Sequence, residues 1–188
     1  MAGYMYLGNK KVCPAIVVKQ GTPYIPAYSI IDGKLTFTRY ELTGHEFDGA
    51  EVAESGWFNL TESYIYGDAI FRDLKTIGGF AFSYTFSWQG IETASFEKVD
   101  TIGQQAFMYC FSDCYTIRDI YFNSLKTTSF GSYTNQFIGM LSNTGTSVIH
   151  TIHFPSNLES TIQGLSGYPL FGGTIGYVVL AFDLPATS

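Results

Sequence analysis

A phrase repeated along this chain limits what it can fold into. Residues 91–99 read IETASFEKV, 117–125 read IRDIYFNSL and 149–158 read IHTIHFPSNL, with a fainter copy, YGDAIFRDL, at 66–74. Each copy has an apolar residue, a second one three positions later, a Phe two further on, and a closing Leu or Val. The anchors Phe71, Phe96, Phe122 and Phe154 are 25, 26 and 32 residues apart. A unit of that length cannot bury its own apolar face, so its core forms only when neighbouring units stack. The pattern predicts a solenoid, a fold that presents a long surface.

Similarity continues between the phrases. Residues 74–82 (LKTIGGFAF) and 99–107 (VDTIGQQAF) share Thr-Ile-Gly and Ala-Phe, and Phe86 and Phe111 then occupy equivalent places. Each unit reads as a short strand, a turn at Thr-Ile-Gly, and one helical turn whose four-residue Phe spacing puts both rings on one side. Phe82 and Phe107 are expected to point inward. The third unit keeps Leu-Lys-Thr after Leu125, and its Ser, Thr, Asn and Gly content near 142–147 predicts a longer loop.

Thr-Ile-Gly-x-x-Ala-Phe-x-x-Cys, here Thr101 to Cys110, followed by an Ile-x-x-Ile-x-Phe strand, resembles the BspA-type leucine-rich repeat. That family occurs in surface proteins of gut and oral bacteria and in their phages. The resemblance covers about residues 46–158. Phe stands at several of the usual Leu positions, and one unit keeps the Cys. The closing stretches HFPSNL (153–158) and FDLPATS (182–188) look like the ends of repeat proteins encoded by gut phages and their hosts. The implied fold is a β-rich α/β solenoid, a leucine-rich repeat with short strands and single helical turns. Its expected organisation is a β-rich N-terminal cap or docking segment over 1–45, repeats over 46–158 and a C-terminal cap over 159–188.

Within the first segment, Tyr4 to Leu7 and Lys11 to Cys13 flank Gly8-Asn9 as a hairpin would. Pro14, Pro23 and Pro26 interrupt the pattern, and residues 34–40 alternate as a half-buried strand. A solenoid's open end exposes strand edges, which a cap must cover. Residues 176–183 predict one more strand.

Composition narrows the function. With 17% aromatic residues the chain is not of the disordered type. No apolar run approaches the length of a membrane span, and the first dozen residues lack the apolar stretch of a secretory leader, so neither membrane insertion nor leader-directed export is expected. The net charge of −6 disfavours nucleic acid. Cys13, Cys110 and Cys114 are too few for a disulfide framework and read as buried thiols; with no Cys or His cluster to complete a zinc set, neither metal nor cofactor is expected. His150 and His153 fall on opposite faces of a strand. Nucleophile elbow, phosphate loop and HExxH motifs are missing from the sequence, which points away from an enzyme.

Strand alternation assigns the outward residues. With each Phe anchor inward, one outward ladder is Asp68, Thr93, Asp119 and Thr151. The next is Ile70, Ser95, Tyr121 and His153, flanked by Arg72, Glu97 and Asn123. An exposed sheet face is polar with or without a ligand. Trp88, in the turn before a strand, is the best placed of the aromatic residues to stack on a sugar. Trp57 is a second aromatic of that kind, while Asn59-Leu-Thr61 is a glycosylation sequon read as chance in a chain without a leader. The resemblance implies a non-enzymatic adhesion or receptor-binding protein on a phage virion, with its N-terminal segment against other virion proteins and its repeat face against a host-surface glycan or protein. Multivalent contact of this kind suggests a homo-oligomer. The alternative is a bacterial surface or cytoplasmic scaffold for protein partners.

Overall fold

The fold is that of a computed structural model, which describes residues 41–42, 44–55 and 64–187 in full and the backbone of the strands between Met5 and Tyr40. In chain order the strands are β1 (Met5–Leu7), β2 (Lys10–Val12), β3 (Tyr28–Ile31), β4 (Lys34–Phe37), β5 (Arg39–Leu42), β6 (Val52–Ala53), β7 (Tyr64–Phe71), β8 (Thr76–Ile77), β9 (Gly90–Phe96), β10 (Thr101–Ile102), β11 (Asp119–Phe122), β12 (His150–Pro155) and β13 (Val178–Leu184). Strands β5, β7, β9, β11, β12 and β13 lie side by side in one parallel sheet, and β6, β8 and β10 form a narrow second one. The chain thus winds through about five coils of a β-solenoid.

The repeated phrase fixes the register. Phe71 pairs with Phe96, Phe96 with Phe122, Ala94 with Ile120 and Ile120 with Ile152. In-register stacking lines up the anchors in an inner column: Phe71 to Phe96 is 4.9 Å, Phe96 to Phe122 5.1 Å, and Phe122 to Phe154 5.5 Å between ring centroids, with planes within 9° of parallel. Phe182 of β13 adds a further ring, 5.9 Å from Phe154. One irregularity interrupts this order. Gly67 pairs with Ile91 and Asp68 with Thr93, so Glu92 is an extra residue on β9, a bulge beside a glycine with φ +94°.

Opposite the sheet the backbone departs from the expected helical turns. Residues 79–88 and 104–113 are successive tight turns. The N–H groups of residues 80, 82, 84, 86 and 88 donate to the carbonyls of residues 104, 106, 108, 110 and 112 in the next coil. Those of 81, 83, 85, 87 and 89 donate to the carbonyl three residues back. A helix needs every N–H for its own i−4 carbonyl; here half are drawn off to the neighbouring coil. Every fourth residue, at Phe80, Tyr84 and Trp88 and again at Gln105, Tyr109 and Asp113, also has positive φ, which a right-handed helix excludes.

The alternation still sends Phe82, Phe86, Phe107 and Phe111 inward, all fully buried. Phe82 stacks on Phe107 at 5.5 Å, and Phe86 on Phe111 at 5.4 Å. The two walls meet edge to face, with Phe71 on Phe82 at 5.2 Å and Phe96 on Phe107 at 5.1 Å, the arrangement aromatic quadrupoles favour. Ion pairs Lys75–Glu51 (3.0 Å) and Lys98–Asp73 (2.8 Å) link successive coils at an exposed edge.

Toward the N-terminus, β1 pairs antiparallel with β2, and β3 with β4; Gly8 and Asn9 lie outside the described residues. Residues 34–40, read as a single strand, divide between β4, which pairs with β3, and β5, which starts the main sheet. Beyond β12, the short helix α1 (Glu159–Gln163) leads to the turns before β13. Cys13, Pro14, Pro23, Pro26, Trp57 and residues 59–61 lie outside the described residues.

Candidate functional site

The outer face of the sheet carries the two predicted ladders. Asp68 pairs with Thr93, Thr93 with Asp119 and Asp119 with Thr151; Ile70 pairs with Ser95, Ser95 with Tyr121 and Tyr121 with His153. All are exposed or half-buried, as strand alternation requires. Glu97 and Asn123 follow in line, their N–H groups donating to the carbonyls of Phe71 and Phe96. Arg72 is differently placed. Its guanidinium turns toward the loop at 44–48, donating to the Gly44 carbonyl and to Asp48 Oδ1 (2.9 Å) and lying 3.3 Å from His45 Nδ1. His45 and Arg72 together hold the Asp48 carboxyl below its usual pKa.

At the far end of the ladders four residues converge. The His153 ring lies face to face with Tyr121, centroids 4.3 Å apart. Its Nδ1 is 3.0 Å from both Asp183 carboxylate oxygens, and its Nε2 is 3.3 Å from Asp119 Oδ1. The His153 side chain is only 14% exposed, whereas both carboxylates reach solvent. Because the carboxylates address opposite nitrogens of one ring, these three cannot chelate a single ion. A neutral imidazole donates to one of them and a protonated one to both. Burial, assisted by Asp119 and Asp183, holds the Tyr121 phenol above its usual pKa. The result is an anchored cluster of one phenol, one imidazole and two carboxylates. Asp183 was not among the sequence-derived candidates, although the match of residues 178–182 to the repeated phrase places it one residue past a Phe anchor.

A second exposed surface covers the wall of tight turns. Trp88 is 66% exposed, and two further aromatic residues at equivalent turn positions, Phe80 (43%) and Tyr84 (55%), project beside it. Tyr84 stacks on Tyr109 of the next coil at 5.0 Å. The backbone N–H of Trp88 donates to the Ser112 carbonyl, which puts residue 88 next to Asp113, and Asp113 Oδ1 accepts from the Tyr115 hydroxyl at 3.4 Å. Phe80, Tyr84 and Tyr109 were missed in sequence; the cue to the first two is the four-residue aromatic period that ends at Trp88, and Tyr109 is the counterpart of Tyr84 in the next coil.

The remaining candidates are structural. His150 faces inward, buried, with Nδ1 2.6 Å from the Ile117 carbonyl, and His153 faces outward. Cys110 and Cys114 are buried free thiols whose pKa burial raises. Among the described residues no group of His, Cys, Asp and Glu is arranged to hold a metal ion, and no helix is long and apolar enough to cross a membrane. The chain matches no family model, no curated protein and no solved structure.

Proposed function

We propose that this chain is a non-enzymatic recognition protein of the leucine-rich-repeat type, carried on a phage particle, that contacts the bacterial host through the outer face of its parallel sheet. The observation that carries this reading is the cluster of Tyr121, His153, Asp119 and Asp183. Polar side chains there are fixed by each other and by strand register, so they meet a partner with little conformational entropy left to lose. Ladders at strand spacing, about 4.8 Å per coil, extend the surface over several coils. Its partner is a host-surface glycan or protein. Weak single contacts become firm when several copies act together on one particle. The particle setting rests on the resemblance of the repeat to those of gut bacteria and their phages.

Labelled protein bound to host cells tests the reading against the double variant Tyr121→Ala/His153→Ala. At least tenfold weaker binding by the variant is the expected result, and equal binding removes the sheet face from consideration. Detection of the chain in purified particles separates the virion setting from a bacterial scaffold.

A further inference from the structure

The wall of turns carries a cost that its folding does not explain. Bulky residues with positive φ are strained, and Gly, Asn and Asp meet such positions most cheaply. The chain itself uses them where the same columns cross later coils. Inter-coil hydrogen bonds put Trp88 beside Asp113 and Asp113 beside Asn143, and Tyr109 beside Gly139. All of these residues have positive φ. The turns therefore form without aromatic rings, yet in the coil of residues 78–89 all three such positions hold one: Phe80, Tyr84 and Trp88. These three residues are about half exposed or more and lie outside the buried core. Strain and exposure kept together, with a packing return only where Tyr84 stacks on Tyr109, are the marks of a binding surface.

The chemistry of the wall selects the ligand. Residues 78–90, 103–116, 131–148 and 164–177 contain one charged residue, Asp113, and no Lys or Arg. A polyanion or an acidic peptide finds no counter-charge there, and the net charge of −6 repels it. Ser83 and Ser87 alternate with these aromatic residues along the chain, and Gln105 stands beside Phe80 in the next coil, all half-buried. Ring faces alternating with uncharged hydrogen-bonding groups match the C–H faces and hydroxyls of a pyranose chain. We infer that the turn wall is a binding site for an uncharged polysaccharide, with Phe80, Tyr84 and Trp88 as the stacking platform and Tyr109 extending it across the next coil. This site lies on the opposite wall from the sheet face and is independent of the host-contact reading.

Electrophoresis of the purified chain through gels containing dextran, mannan or galactan, with heparin as the charged control, tests the inference. At least one neutral polysaccharide is expected to retard the protein, by an amount unchanged in 0.5 M NaCl. Trp88→Asn and Tyr84→Asn are each expected to weaken that retardation at least tenfold. Trp88→Asn is also expected to raise Tm, by about 2–4 °C, because Asn relieves the positive-φ strain, whereas in Tyr84→Asn that gain is offset by loss of the stack on Tyr109. Retardation by none of the three polysaccharides, or by heparin alone, overturns the inference. So does undiminished binding by both variants, or a lowered Tm in Trp88→Asn, which would make that ring structural. Protein captured through Tyr84 and Trp88 without any polysaccharide binding would assign the wall to a protein partner and equally overturn it. Failure here leaves the cell-binding result for Tyr121 and His153 standing, and the reverse holds.

Discussion

Tyr121 and His153, directly opposite each other on β11 and β12, stack with their rings 4.3 Å apart and 11° from parallel. The pair is tightly constrained, because the imidazole is also held at both nitrogens by Asp183 and Asp119. Cross-strand pairs of this kind contribute roughly 0.2–1 kcal/mol and stacked rings somewhat more. A double-mutant cycle with Tyr121→Ala and His153→Ala, followed by urea unfolding, is expected to return a coupling of about 0.5–1 kcal/mol. Additive effects of the two substitutions would show that the pair is not stacked in solution.

The inner column gives a graded expectation. Phe122 is stacked between Phe96 and Phe154 and meets Phe107 edge-on at 5.3 Å, so nothing nearby can collapse into its place. Phe122→Ala is expected to cost about 3–5 kcal/mol. Phe182, partly exposed and stacked on Phe154, leaves a smaller void. Its replacement by Ala is expected to cost less than half as much. Equal losses at the two positions, read from denaturant midpoints, would contradict the stacked order of coils.

Glycine at position 103 is required by close approach of two coils. A Cβ there would come within 2.5 Å of the Gly79 nitrogen and 2.7 Å of the Gly78 carbonyl carbon, both backbone atoms that cannot swing aside. At Gly131 the added carbon meets nothing, and only the φ of +54° resists it. Gly103→Ala is expected to destabilise by about 1–3 kcal/mol or more through forced separation of the coils. Gly131→Ala is expected to cost roughly 1 kcal/mol of backbone strain. Thermal unfolding of the two variants side by side checks the ranking, and a milder Gly103 variant argues against the tight coil contact.

The parts of this fold that were legible in sequence are those where one residue type recurs in phase. The Phe anchors revealed the coil, and alternation around them placed Asp68, Thr93, Asp119 and Thr151 in one row and Ile70, Ser95, Tyr121 and His153 in the next. The turn wall was not legible, because a helix and a ribbon of alternating turns bring residues four apart to the same side. Phe82 and Phe86 point inward under either reading, and the choice is made by N–H groups that bond to the next coil. Arg72 left its expected row because Asp48 and the Gly44 carbonyl, some 25 residues upstream, offered it partners that alternation cannot anticipate. Asp183 could have been placed from the Phe182 anchor beside it, but the register shift between His153 and Pro155 opposite β13 is announced by no local pattern.

Buried thiols make the protein sensitive to alkali in a predictable direction. Cys110 and Cys114 are fully buried, and loss of solvation raises both pKa values, that of Cys110 well above the ordinary thiol range. In the unfolded chain both ionise near pH 8.5. A raised folded pKa means that its stabilising contribution is complete below the unfolded value and is lost as pH climbs toward the folded one. Above about pH 8.5 the unfolded state sheds protons that the folded state keeps, so stability is expected to fall by up to about 1.4 kcal/mol per pH unit for each thiol. Urea unfolding between pH 7 and 10 measures this slope, with a thiol reagent showing slow reaction in the native state as a companion check. Cys110→Ala is expected to remove one thiol's share of the slope, at the expense of a small cavity. An unchanged slope in that variant, or rapid native-state labelling of both cysteines, would mean that the coil interior admits water and that the packed aromatic core is looser than its ring spacings indicate.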